Sequence, residues 1–277
     1  MTPLSGKISH QKFEAKWSRG STFPRMPPPV CCNCPMSVPY DEQDTDEEPP
    51  TPAVSARAIR MKGPWGPVYG PIDLDIDAGG VTVLRCPAGS GRTALLMTLS
   101  GRMRPMSGDL TVMGRIRTTE IFANSALAGI DELDTVAESV TVGDLITEQL
   151  RWDAAWHRLI PRADEADVAR VCGPVFGDLP LPPLSEYVEE LTELDGLLLR
   201  IALANTARPE LLVVGNLDQV TSDDSRAMLL GRLIELGRAQ TVITASVNAV
   251  DTVGVRAELA VRNVTRAELI GQQKGGQ

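Results

Sequence analysis

Cys86-Pro87-Ala88-Gly89-Ser90-Gly91-Arg92-Thr93-Ala94-Leu95-Leu96 decides how this chain is read. The stretch follows an apolar run, Val81 to Leu84, and leads into a segment of helical character. It departs at two positions from the phosphate-binding pattern G-x-x-x-x-G-K-[ST]. Cys86 stands where the first glycine belongs, and Arg92 stands where the lysine belongs. The remaining positions fit. Gly89 and Gly91 allow a turn whose successive N–H groups point at one anion. The helix that follows presents its positive end to the same place. Thr93 supplies the hydroxyl that ligates Mg²⁺ in such loops.

The rest of the chain sets bounds. Of 277 residues, 43% are hydrophobic, enough for a folded core of one or two domains. A net charge of −9 argues against nucleic acid as a partner, because a polyphosphate backbone needs basic patches. No stretch has the ~20 consecutive apolar residues of a membrane span. The N-terminus has no apolar run of the signal-peptide kind.

Residues 1–54 read as a disordered leader: Pro27-Pro28-Pro29, the acidic run Asp41 to Glu48, and Pro49-Pro50 offer little to bury. Cys31, Cys32 and Cys34 lie there without a second ligand group at zinc spacing. Lys7, Lys12 and Lys16 belong to this stretch, whereas only Lys62 and Lys274 follow it, so Met36 is read as an alternative start.

The folded part is expected over residues 55–263, with 264–277 a polar tail. Strands are expected at Ala58 to Met61, Ile72 to Ile76, Val81 to Arg85, Gly108 to Met113, Thr119 to Leu127, Leu211 to Val214 and Thr241 to Ala245, with edge structure at Val255 to Asn263. Helices are expected at Thr93 to Gly101, from Thr141 onward, at Leu197 to Ala207 and at Ala227 to Leu236. Val142, Leu145, Ile146 and Leu150 recur at helical spacing, and Trp152, Trp156 and Leu159 extend that stripe as expected core. His157, alone among them, reads as a structural residue. The class is α/β: a P-loop NTPase core with a mixed sheet, plus a helical subdomain at about 141–207.

This order of elements resembles the ATP-binding cassette family, the nucleotide-binding subunits of ABC transporters, over about Ala58 to Asn263. Leu95 to Gly101 followed by Pro105-Met106-Ser107-Gly108-Asp109-Leu110 resembles the family's first helix and the "L-x-P-x-S-G" turn into a strand. Ser139-Val140-Thr141-Val142-Gly143-Asp144 resembles the "L-T-V-x-E-N" entry to the helical subdomain. Leu197 to Pro209, then Glu210 to Val214, resembles the helix after the signature and the strand carrying Walker B.

The resemblance implies an ATP site at Pro87, Ala88, Gly89, Ser90, Gly91, Arg92, Thr93 and Ala94, with Trp65 or Tyr69 stacked on adenine and Mg²⁺ on Thr93. It also implies that the other motifs are degraded. The signature L-S-G-G-Q falls on Leu191-Thr192-Glu193-Leu194-Asp195; the Walker B acid falls on Gly215 and the catalytic glutamate on Asn216, with Asp218 nearby as a misplaced substitute. The switch histidine falls on about Ser246 and the Q-loop glutamine on Asp131 or Glu132. Two readings follow from these losses. One is a transporter ATP-binding subunit with weak hydrolysis and weakly held Mg²⁺, peripheral on the inner membrane face. It would be bound to a permease and dimerised with itself or another ATP-binding subunit. The other is a non-hydrolysing scaffold or regulator.

Overall fold

The structure is a computed structural model that describes residues 52–130, 139–251 and 253–261. Residues 1–51 of the expected leader, the three clustered cysteines, Met36, the Q-loop positions Asp131 and Glu132 and the tail 264–277 lie outside the described residues, as does Thr252; the leader's expected end is corrected, because Ala53 and Val54 are buried and Val54 opens the first strand.

Strand β1 (Val54–Gly63) pairs antiparallel on one side with β2 (Gly66–Ile76) and on the other with β4 (Ser107–Val112). A second sheet is parallel throughout, in the order β5 (Ser125–Ala128), β6 (Leu211–Asn216), β7 (Thr241–Ser246), β3 (Gly80–Arg85) and β8 (Ala257–Ala260). The inner strands of this sheet are apolar on both faces, as a doubly covered parallel sheet requires. Side chains alternate between two cores. Leu84, Leu211, Val213, Ile243 and Ala245 face helix α1 (Ser90–Leu99) and the antiparallel sheet. Val81, Val83, Leu212, Val214 and Val242 face the other helices. β8 occupies the sheet edge.

Those other helices are α3 (Val142–Asp153), α4 (Glu165–Phe176), α5 (Glu193–Ala204) and α6 (Asp223–Gly237). Each begins at a residue whose side chain accepts a first-turn N–H: Thr141, Asp164, Thr192 and Ser222. α3 and α4 carry full capping boxes, closed by Asp144 and Asp167. The Thr141 hydroxyl and backbone N–H hold the Asp144 carboxyl below its usual range, and Arg170 with the Asp164 N–H does the same for Asp167.

Three further expectations are corrected. Residues Thr119 to Leu127 are not one strand: Thr118–Ala123 is helix α2, and only Ser125–Ala128 is strand. Local β-propensity loses to packing here. Gly101 approaches α2 so closely that a Cβ on it would lie 2.5 Å from the Phe122 nitrogen, and Arg102 sits 4.8 Å over the Phe122 ring. Helix α4 was not expected, because Gly173 and Pro174 interrupt its pattern. The third correction is the largest. Trp152, Trp156 and Leu159 are not core: they are 77%, 96% and 96% exposed. α3 ends at Asp153, so the spacing that joins Trp156 and Leu159 to its apolar stripe has no helix beneath it. His157 is exposed with them, its ring edge-on to Trp156.

Candidate functional site

The site is built where β3 turns into α1. β3 ends at Arg85, and Cys86 continues its direction, its N–H donating to the Ser246 carbonyl at 3.0 Å. The Cys86 side chain is buried in the core under α1. Burial pushes its thiol up to about 11; Arg92 pulls it down and Asp218 pushes it further up. It stays a protonated packing group at neutral pH. Pro87, Ala88 and Gly89 form an exposed turn. Gly89 has φ +131°, a conformation glycine tolerates, and a Cβ there would meet nothing within 4 Å. Its backbone therefore faces open space.

Ser90 is the first residue of α1, and Gly91, Arg92 and Thr93 complete its first turn, half-buried. Ala94 points into the core. Unlike α3 to α6, α1 has no side-chain cap and no acid in its first turn. These are the conditions under which a helix N-terminus attracts an anion. The structure thus brings Pro87 to Thr93 together on one turn, open on the side Gly89 faces.

Arg92 carries the site's charge, and it is engaged. Its Nη1 lies 3.3 Å from Asp218 Oδ2, and the two side chains are only 11% and 21% exposed. Asp218 belongs to a single 3-10 turn, Leu217–Gln219, that follows β6. Its carboxylate also accepts from Ser246 Oγ at 3.2 Å and from the Val247 N–H at 2.8 Å. Sheet register makes this possible: Leu84 and Arg85 lie opposite Ala245 and Ser246, and Asn216 lies opposite Ala245. The ends of β3, β6 and β7 therefore converge on the loop.

Gly215, where the resemblance puts the Walker B acid, is held by packing. A Cβ there would lie 1.8 Å from the Gly129 carbonyl oxygen and 2.7 Å from Gln219 Nε2. Gln219 donates to that same carbonyl at 2.5 Å. No carboxylate fits at residue 215 while β5 and β6 pack this way. Mg²⁺ fits the donor set poorly, since Thr93 has no acid opposite it at 215. Among the described residues no cluster of three His, Cys, Asp or Glu is placed to hold a metal.

The signature segment is occupied with capping. Thr192 Oγ1 donates to Asp195 Oδ2 at 2.7 Å and accepts from the Asp195 N–H at 3.1 Å. Glu193 accepts from the Thr221 N–H and hydroxyl at 2.8 and 3.0 Å. At these positions the side chains tie α5 to the turn after β6 within the chain.

The two aromatic candidates separate. Tyr69 is buried and shares a 2.8 Å hydrogen bond with Thr98 Oγ1, so it is a core residue. Trp65 lies in the β1–β2 turn and is 80% exposed. The sequence reading missed Gln219 and Gly129. Neither has a local signal, since they meet across 90 positions.

No protein-family model matches the chain. It is 30% identical over 112 residues to the cytochrome c biogenesis ATP-binding export protein CcmA of Pseudomonas syringae pv. tomato, covering 40% of this chain and 50% of that one. The chain thus spans about half the length of the curated relatives that it matches first. Among solved structures it resembles cbiO1 of Clostridium perfringens, part of the ABC transporter complex cbiONQ. That likeness has a TM-score of 0.59 at 14% identity and covers 81% of this chain and 93% of that one. It also resembles a bacterial ABC transporter cassette solved as a dimer, with TM-score 0.56, 13% identity, and 75% and 94% covered. The fold is that of an ATP-binding cassette, and about 112 residues of the chain are similar in sequence to ATP-binding export proteins.

Proposed function

We propose that the chain is an ATP-binding subunit of an ABC-type transporter that binds ATP through its modified P-loop, with weak hydrolysis of its own. The observation that carries this reading is the open turn Pro87 to Gly89 leading into an uncapped α1 whose first turn bears Arg92 and Thr93. In this reading Pro87 to Ala94 surround the phosphates, Thr93 is the protein's ligand to a weakly held Mg²⁺, and exposed Trp65 stacks on adenine. ATP binding measured by calorimetry is the test. Saturable binding below millimolar nucleotide is expected, with loss on Gly91→Asp, which sets a carboxylate against the phosphates. No binding at millimolar ATP overturns the reading. Bound ATP should also raise the melting temperature by mass action.

The partner in this reading is a membrane permease, with a second ATP-binding subunit, identical or different, completing a dimer. The chain would then be cytoplasmic and peripheral on the inner face of the membrane. Two observations support it. No helix among the described residues is long and apolar enough to cross a membrane. Trp152, Trp156 and Leu159 leave large apolar side chains exposed at the end of α3, of the kind that anchor interfaces. Co-purification with a co-expressed permease from solubilised membranes checks this. Trp152→Ala with Trp156→Ala is expected to reduce recovery at least about ten-fold, given the ≥2 kcal/mol of a tryptophan hot spot. Unchanged recovery removes these residues from the interface.

A second reading, a scaffold or regulator without turnover, is favoured by one observation. The Gly129 carbonyl occupies the space an acid at 215 needs. The two readings share nucleotide binding and part over a permease: a chain that binds ATP but stays alone beside every candidate permease is the scaffold.

A further inference from the structure

Asp218 is held by the kinds of donor that hold a phosphoryl group. Oδ2 faces the Arg92 guanidinium at 3.3 Å and accepts the Val247 N–H at 2.8 Å; Oδ1 accepts the Ser246 hydroxyl at 3.2 Å. The Ser246 hydroxyl is oriented for this. Its oxygen accepts the Asn248 N–H at 3.1 Å, which leaves its proton for Asp218, and the residue is 1% exposed. Guanidinium, hydroxyl and backbone amide thus converge on one carboxylate from two separate segments, the first turn of α1 and the end of β7. A charge-assisted set of this kind is strong and has little freedom.

Arg92 is the cation that the P-loop offers to a phosphate, and here it is already paired. A phosphate arriving at Gly89 to Thr93 competes for that guanidinium and meets a fixed negative charge beside it. We propose that Asp218 sets the anion affinity of this loop: it stands in for a phosphate on Arg92, and a nucleotide binds by displacing it. This competition presupposes that the loop takes a nucleotide phosphate, as proposed above, and a second probe separates the two claims.

The experiment titrates wild type and Asp218→Asn with ATP and with inorganic tripolyphosphate, each in Mg²⁺ and in EDTA. Asparagine keeps the shape and an acceptor but removes the charge. Affinity for both probes is expected to rise at least about ten-fold, with or without Mg²⁺, a factor equal to about 1.4 kcal/mol. The melting temperature without ligand falls at the same time, because Arg92 loses its partner in a largely buried place. Adding Arg92→Ala to Asp218→Asn removes the gain in affinity. Asp218→Ser, which keeps a hydroxyl for Ser246 and Val247, is the second variant and follows the same ordering.

Unchanged or weaker binding of both probes overturns the proposal. Weakening confined to Mg²⁺ also overturns it and makes Asp218 a metal ligand. If neither probe binds either variant, no anion competes with Asp218 and the proposal falls. Tighter tripolyphosphate with no ATP binding in either variant keeps the role of Asp218 and sinks the nucleotide reading alone.

Discussion

Gly215→Asp, the substitution that restores the missing Walker B acid, is expected to lower the melting temperature by roughly 8–16 °C rather than to improve the site. The new Cβ would sit 1.8 Å from the Gly129 carbonyl oxygen, inside any van der Waals contact, and 2.7 Å from Gln219 Nε2. Gly129 is itself constrained: it has φ +68°, and its own α-hydrogen face abuts Leu197 Cδ1 at 2.6 Å from where a Cβ would stand. The backbone of β5 cannot withdraw without opening its pairing with β6, in which Ala128 lies opposite Val214. Overpacking of this kind costs about 1–3 kcal/mol, and a buried carboxylate beside a carbonyl oxygen adds desolvation, for about 4 kcal/mol in total. For a chain of this size each kcal/mol moves the midpoint by about 2–4 °C. Gly215→Ala should show a smaller shift of the same sign. Gly231→Ala, where a Cβ meets nothing within 4 Å on α6, should instead stabilise by about 1 kcal/mol. Differential scanning of the three variants checks the account, and a Gly215→Asp chain as stable as wild type would refute the packing argument.

Hydrolysis is the second large effect. Phosphoryl transfer depends on charge neutralisation by Mg²⁺, a phosphate-binding cation and a group that orients water. Here residue 215 cannot hold an acid, residue 216 is asparagine, and Arg92 is shared with Asp218. Each lost stabiliser typically lowers the rate a hundred- to a thousand-fold. Against an ordinary enzyme turnover of about 10 per second, two such losses leave about 0.001 per second or less for the purified chain. Asn216→Glu alone is not expected to restore activity, because the metal still lacks its holder and the double variant carries the clash at 215. Phosphate release at saturating MgATP measures this. A turnover of several per second, abolished by Arg92→Ala, would show the site to be competent.

Much of the scaffold was legible in local pattern. An apolar run followed by a glycine turn placed β3, the loop and α1, because a buried strand and a helix start each depend on residues within a few positions. The Gly89-Ser90-Gly91 turn needed no tertiary information either, since glycine alone tolerates φ +131° at Gly89. Where two structures compete for the same residues, pattern fell short. Thr118 to Ala123 became helix because Gly101 and Arg102 receive it, and α4 formed across Gly173-Pro174. Trp156 and Leu159 kept the spacing of a core stripe after the helix beneath them had ended, and Trp152, in the last turn of α3, is exposed with them.

The sequence by itself determined that a glycine turn with most of a phosphate-loop pattern leads into α1 and that the acids and glycines of the other motifs are absent. Only the tertiary structure decided what their replacements do. Gly215 is required by the Gly129 carbonyl just after β5, Glu193 ties α5 to Thr221, and Asp218 takes Arg92 from 126 positions away. The reason is physical: parallel pairing brings the ends of β3, β6 and β7 together, and those contacts depend on strand order and register, which no local stretch of this chain encodes.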